Sequence, residues 1–248
     1  MISHSVKTIF KKELKSYFAT PLGYVFCVIF LFSIGYVTFE SGKGSFFVLR
    51  QADLSSFFRY IPWLFLFLVP AVSMRLWAEE RKSGTIELLL TLPVTVREAV
   101  LGKFLASWAF IGFNLLCTFP IVLTVLYLGD PDIFVILVGY LGAFLLGGAY
   151  LAIGCFFSAL TKNQVISFIC TVVFCYLLTM AGSPPILEFL STFFHRYFLN
   201  LFESLSIINH FETMGRGVVR LGDLWFFAVI ILAWLYGCEA ILDEKKAS

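Results

Sequence analysis

Charge is scarce in this chain. Only 14% of its 248 residues are Asp, Glu, Lys or Arg, while 60% are hydrophobic. Soluble domains carry about 25% charged and about 45–50% apolar residues. A soluble globule would lack the polar surface to cover this apolar mass, and a disordered chain is excluded for the same reason. A formal net charge of +2 supplies no basic field, so nucleic acid is excluded as a partner.

Other scarcities narrow the chemistry. Only three histidines occur, His4, His195 and His210, and none lies in a spanning stretch. Haem ligation inside a bundle is therefore unsupported, and His195 with His210 has no close third ligand for a metal. The six cysteines sit inside apolar stretches and form no CxxC pair, which reads as packing rather than redox or metal chemistry. No GxxxxGK[ST] is present, since Gly102-Lys103 is followed by Phe104. The chain thus lacks a phosphate-cradling loop and is not expected to be an ATP-hydrolysing enzyme. No Ala-x-Ala site follows the first apolar run, so that run reads as a retained helix rather than a cleaved signal.

What is present is apolar sequence in long runs. A spanning helix needs about 20 apolar residues. The sequence predicts spans over 21–40, 61–77, 104–128, 133–160, 165–182 and 224–242, making an all-α polytopic membrane protein with a single domain over 1–248. With the N-terminus cytoplasmic, 12 of the 18 Lys and Arg fall on the inner side, so both termini are expected there. Trp77 and Trp108 are expected at the inner interface, and Tyr60, Trp63, Tyr127 and Trp225 at the outer one. Ionisable groups are nearly absent from span interiors, against the usual pattern of an ion-coupled carrier.

Residues 1–20 read as an interfacial helix. Val6, Ile9, Phe10, Leu14, Tyr17 and Phe18 recur at helical spacing, with Lys7, Lys11, Lys12 and Lys15 on the other side. This elbow is expected to lie on membrane lipid at the inner surface, either as a topology anchor or also in touch with a cytoplasmic partner. The inner loop 78–98 is longer than a bare turn needs. Glu79, Glu80, Arg81 and Lys82 continue the second span outward, and Gly84 breaks it. Residues 86–90 are expected to form a short apolar helix carrying Glu87, which Pro93 ends. Thr95 and Glu98 form a capping box for the next helix. An ordered apolar hairpin with flanking charge suits protein docking. Gly139, Ala143 and Gly147 permit close helix contact, within the subunit or at a dimer seam. Segment 183–223 reads as an amphipathic outer cap, with Asn209 to Asp223 as a polar approach to the last span.

The run Ala-Glu-Glu-Arg-Lys-Ser-Gly-Thr-Ile-Glu-Leu-Leu-Leu-Thr-Leu-Pro at 78–93 resembles the cytoplasmic signature of ABC-2-type transporter permeases. Asn209-His210-Phe211, Arg216-Gly217-Val218 and Asp223 are similar to the segment before the last span in the gliding-motility-type branch of that family. The resemblance implies a permease subunit of an ATP-driven exporter in a bacterial inner (cytoplasmic) membrane. It implies separate ABC ATPase subunits that hold the ATP and Mg2+, and a second permease, identical or related. The coupling hairpin would then carry Glu79, Glu80, Arg81, Gly84, Thr85, Glu87, Leu88 and Pro93 into the ATPase. His210, Phe211, Arg216, Gly217 and Asp223 would belong to an outer gate or to a platform for a further periplasmic or membrane subunit. A secondary transporter or channel without an ATPase, and a membrane scaffold, remain as alternatives.

Overall fold

The computed structural model describes residues 4–40, 46, 53–85, 94–191 and 203–247. These residues are nearly all helical, with no strand among them. Four helical stretches are long and apolar enough to cross a membrane: Ser55–Ser83, Val96–Leu128, Ile133–Leu160 and Leu221–Lys245. A bent pair at the N-terminus, His4–Ala19 with Gly23–Phe39, passes the same test as a unit. Gln164–Met180 is apolar but shorter. The length and composition of these helices make the chain a multi-pass membrane protein.

The first two helices show how local sequence sets direction. Helix α1 (His4–Ala19) and helix α2 (Pro21–Phe39) meet at a 70° bend. Pro21 opens α2, where its missing N–H costs nothing. Thr20 before it is extended, at φ −102° and ψ 143°, as the proline ring demands. Gly23 lies against the Tyr17 carbonyl, so closely that any side chain there would collide with α1 backbone.

Helix α3 (Ser55–Ser73) contains Pro62 and Pro70, and neither ends it. Residues 74–77 then form a turn, and helix α4 (Ala78–Ser83) continues the direction to Gly84. Helix α5 (Val96–Leu116) is followed by helix α6 (Phe119–Leu128). The expected third span, 104–128, lies within the single stretch Val96–Leu128, with a two-residue turn at 117–118 between its two helices. Pro120 opens α6, and the Thr118 hydroxyl donates to the Leu115 carbonyl at 2.6 Å, closing the first segment.

Helix α7 (Ile133–Leu160) is the hub. It packs against α3, α5, helix α8 (Gln164–Met180), helix α10 (Ile207–Gly215) and helix α11 (Leu221–Ala247). Helix α9 (Pro184–Ser191) precedes residues outside the described set. Asp132 caps α7 by accepting from Phe134 N–H at 2.8 Å, and Asn163 caps α8 by accepting from Val165 N–H at 2.9 Å. The small residues of α7 are used inside the chain. Gly139 faces the Phe58 ring, Ala143 is buried, and Gly147 meets Ile111 and Phe65. Gly154 faces the Ser73 side chain just as closely. Bulky apolar side chains remain exposed on α2, α6, α8 and α11, as a lipid-facing surface requires.

Candidate functional site

The polar contacts of the bundle concentrate at the end where α1, α4 and the start of α5 lie. At their centre is Lys103 of α5, only 2% exposed. An ammonium carries three donors and no acceptor. Here Nζ meets three acceptors: Glu80 Oε1 at 2.7 Å, the Leu76 carbonyl at 3.1 Å and Glu13 Oε1 at 3.2 Å. It also lies 5.1 Å from the centroid of the Trp77 ring. The Leu76 carbonyl is available because the turn at 74–77 interrupts the helical ladder. One buried cation thus joins α1, the exit of α3, α4 and α5.

The arm α4 is held on its other side by α7. The Ser158 hydroxyl accepts from the N–H groups of Trp77 and Ala78, both at 3.1 Å, and donates to the Met74 carbonyl at 3.0 Å. The first turn of α4 lacks a cap of its own, so α7 supplies one from 80 residues away. Arg81 Nη1 donates to the Ala159 carbonyl at 2.7 Å, and Lys245 Nζ of α11 donates to the same oxygen at 2.9 Å. Two cations therefore gather at the C-terminus of α7, where its dipole favours them. Gly84 ends the arm at φ +74°, a left-handed conformation suited to glycine.

The predicted hairpin residues divide accordingly. Glu80 and Arg81 anchor the arm to the bundle, while Glu79 is exposed and its carboxylate has no partner among the described residues. The Thr85 hydroxyl pairs with that of Ser83 at 2.9 Å. Glu87, Leu88 and Pro93, with the expected short helix at 86–90, lie outside the described residues. At the return, Thr95 Oγ1 accepts from Glu98 N–H at 3.2 Å and Glu98 Oε2 accepts from Thr95 N–H at 3.1 Å, a complete capping box.

On α1, Lys7, Lys11, Lys12 and Lys15 are exposed, while Val6 is buried. Tyr17 stacks on Phe110 with centroids 4.7 Å apart, and its hydroxyl pairs with Ser107 at 2.8 Å. Ile9 packs on the close-approach face of Gly102. The apolar stripe of α1 is therefore seated largely on α5.

Two burials are not visible in the sequence. Trp77 is 1% exposed, because the turn after α3 folds its ring inward beneath Lys103. Lys103, which immediately precedes the expected span 104–128, belongs to the body of α5 and is buried. Neither Lys103 nor Glu13 nor Ser158 was identified as a site residue. A signal for Lys103 existed: Val96, Ala99, Ser107 and Phe110 share its helical stripe, and all four are buried.

At the opposite end, His210 Nδ1 lies 2.6 Å from Asp223 Oδ1, and Nε2 lies 3.1 Å from the Ser204 carbonyl. The imidazole stacks on Phe226 at 3.9 Å. Asp223 is 5% exposed in the first turn of α11, and Phe211 is buried. Arg216 makes only an exposed 3.6 Å pair with Glu212. Gly217 adopts φ +80° against Val135. The His210–Asp223 contact pins α10 to the start of α11. No group of metal-ligating side chains occurs among the described residues.

The sequence matches a family model described as ABC-2 family transporter protein over residues 7–241. Among curated proteins, no sequence matches the chain significantly. The family match begins within α1, takes in the Lys103 cluster and the arm, and ends within α11. The chain belongs to the ABC-2 transporter family.

Proposed function

We propose that this chain is the transmembrane permease subunit of an ATP-driven ABC-2-type exporter, coupled to separate ATPase subunits at the end where α1 and α4 meet. The observation that carries this reading is the anchored arm. A docking element must transmit force, so it must be tied to the helices it moves. Through Glu80, Arg81 and the Ser158 cap, α4 is tied to α5, to α1 and to α7. A push on α4 would pass through these contacts to α1, α5 and α7. Such rigid-body rocking is a familiar route to alternating access.

In this reading α2 and α8 complete six crossings, and both termini with the arm face the cytoplasm of a bacterial inner membrane. The exposed lysines of α1 face the ATPase, with Glu87 and Leu88 in the docked tip. Two permeases pair, and ATP with Mg2+ resides on the partner ATPases. Because Gly139, Ala143 and Gly147 are occupied inside the chain, the seam between permeases falls on another face. The sequence around His210 and Asp223 supports a place in the gliding-motility-type branch, with the 183–223 segment as a platform for an outer subunit.

Glu87→Arg tests the coupling role. The variant is expected to insert normally yet to abolish permease-dependent stimulation of the ATPase. Stimulation equal to wild type would overturn the docking assignment.

A further inference from the structure

Two clefts lie side by side where the elbow meets α3. The first, about 310 Å³, has charged side chains in its lining, which includes Glu13, Ser16, Arg75, Glu79, Glu80 and Lys103. The second, about 200 Å³, is apolar and runs between the start of α2 (Phe26, Ile29) and the end of α3 (Leu68, Ala71, Val72). Tyr17 and Arg75 line both, so the clefts share a wall. Taken together their volume reaches the range of small-ligand sites, about 300–1,000 Å³.

This pairing of a charged chamber with an adjoining apolar crevice fits an amphiphile. The charges choose its head. Lys103 is consumed by Glu13 and Glu80, leaving that trio one negative charge in excess. Arg75 is partly buried and has no hydrogen bond or ion pair among the described residues, and the Glu79 carboxylate is likewise unpaired. The chamber therefore offers a free cation and a free carboxylate on a net negative background. A purely anionic head would be repelled by that background, whereas a head bearing both phosphate and a primary ammonium would satisfy both groups.

We propose that these clefts form a binding site for a phosphoethanolamine-headed phospholipid drawn from the leaflet at the arm end. The phosphate pairs with Arg75, the ammonium donates to Glu79, and an acyl chain enters the crevice between α2 and α3. That this leaflet is the cytoplasmic one rests on the orientation proposed above. The binding itself is measured without ATPase or transport, so its failure and the failure of that orientation are separable.

The test is native mass spectrometry of the delipidated full chain in detergent, titrated separately with dioleoyl phosphatidylethanolamine, phosphatidylcholine and phosphatidylglycerol. The expected result is one retained phosphatidylethanolamine, preferred about fivefold over phosphatidylglycerol, the scale of one partly exposed charge-assisted contact. Glu79→Gln should erase that preference. Arg75→Ala should weaken retention of all three lipids, and Ala71→Phe should do so by filling the crevice. Should Ala71→Phe fail to fold, the two head-group variants decide. Equal retention of the three lipids by wild type, or retention unchanged in Arg75→Ala, would overturn the proposal.

Discussion

Lys103→Met removes the cation at the centre of the inner cluster while keeping the length of its stem. Three acceptors lose their donor at once: Glu80 at 2.7 Å, the Leu76 carbonyl at 3.1 Å and Glu13 at 3.2 Å. Two carboxylates are then left facing each other. Removing one member of a fully buried ion pair costs about 3–5 kcal/mol. Glu13 and Glu80 side chains retain 21% and 23% exposure, so water screens part of that loss. A net cost of about 2–3 kcal/mol is expected. For a chain of this size, thermal unfolding in detergent should fall by about 5–10 °C. The control is the triple variant Glu13→Gln, Glu80→Gln, Lys103→Met. With every charge gone, the penalty should largely vanish, because replacing a whole buried ion network by neutral groups is often close to neutral. Fluorescence-monitored thermal melts read both. An unshifted midpoint in Lys103→Met, or a triple variant as damaged as the single, would refute the claim that this cation joins α1, α4 and α5.

Gly23→Val should prevent the 70° elbow, because its side chain would meet the Tyr17 carbonyl, whereas Gly35→Ala, with nothing within 4 Å, should be tolerated; size-exclusion profiles of the two variants check this. Ser158→Ala leaves the Trp77 and Ala78 amides uncapped and should cost about 1–2 kcal/mol, read as faster amide exchange confined to residues 74–85. Asp223→Ala removes the acceptor of His210 and should loosen α10 from α11 by about 1–3 kcal/mol, measured as faster proteolysis within 203–221 with the inner end unchanged.

Much of the helical layout was legible because membrane spans write themselves as long apolar runs. Local devices were legible too. The capping box needs only Thr95 and Glu98, the arm's end needs only Gly84, and the short loops need only Asp132 and Asn163. These are signals contained within four residues or so. The two-residue turn before α6 had its mark in Pro120 but lay inside an apolar run, and hydropathy averages across such marks. The inner cluster was not legible, because its members are distant in sequence. Lys103 meets Glu13 across 90 residues, and Ser158 meets Ala78 across 80. The position of Lys103, just before the expected span 104–128, gave no sign of its burial. The burial of Trp77 was hidden for a related reason: the turn at 74–77 turns its ring inward, and only the fold shows that turn. The pairing of His210 with Asp223 joined two residues already singled out from the sequence, though only the fold puts them 2.6 Å apart.

The central claim is that the anchored arm works on a separate ATPase. The direct measurement is affinity purification of the tagged chain from its native membranes in mild detergent, with cross-linking before extraction and mass spectrometry of what is recovered. The account predicts a Walker-motif ATPase in near-equal amount, lost on Glu87→Arg. Recovery of the chain alone after cross-linking would contradict it and make the 78–98 hairpin an internal loop of a self-contained membrane protein.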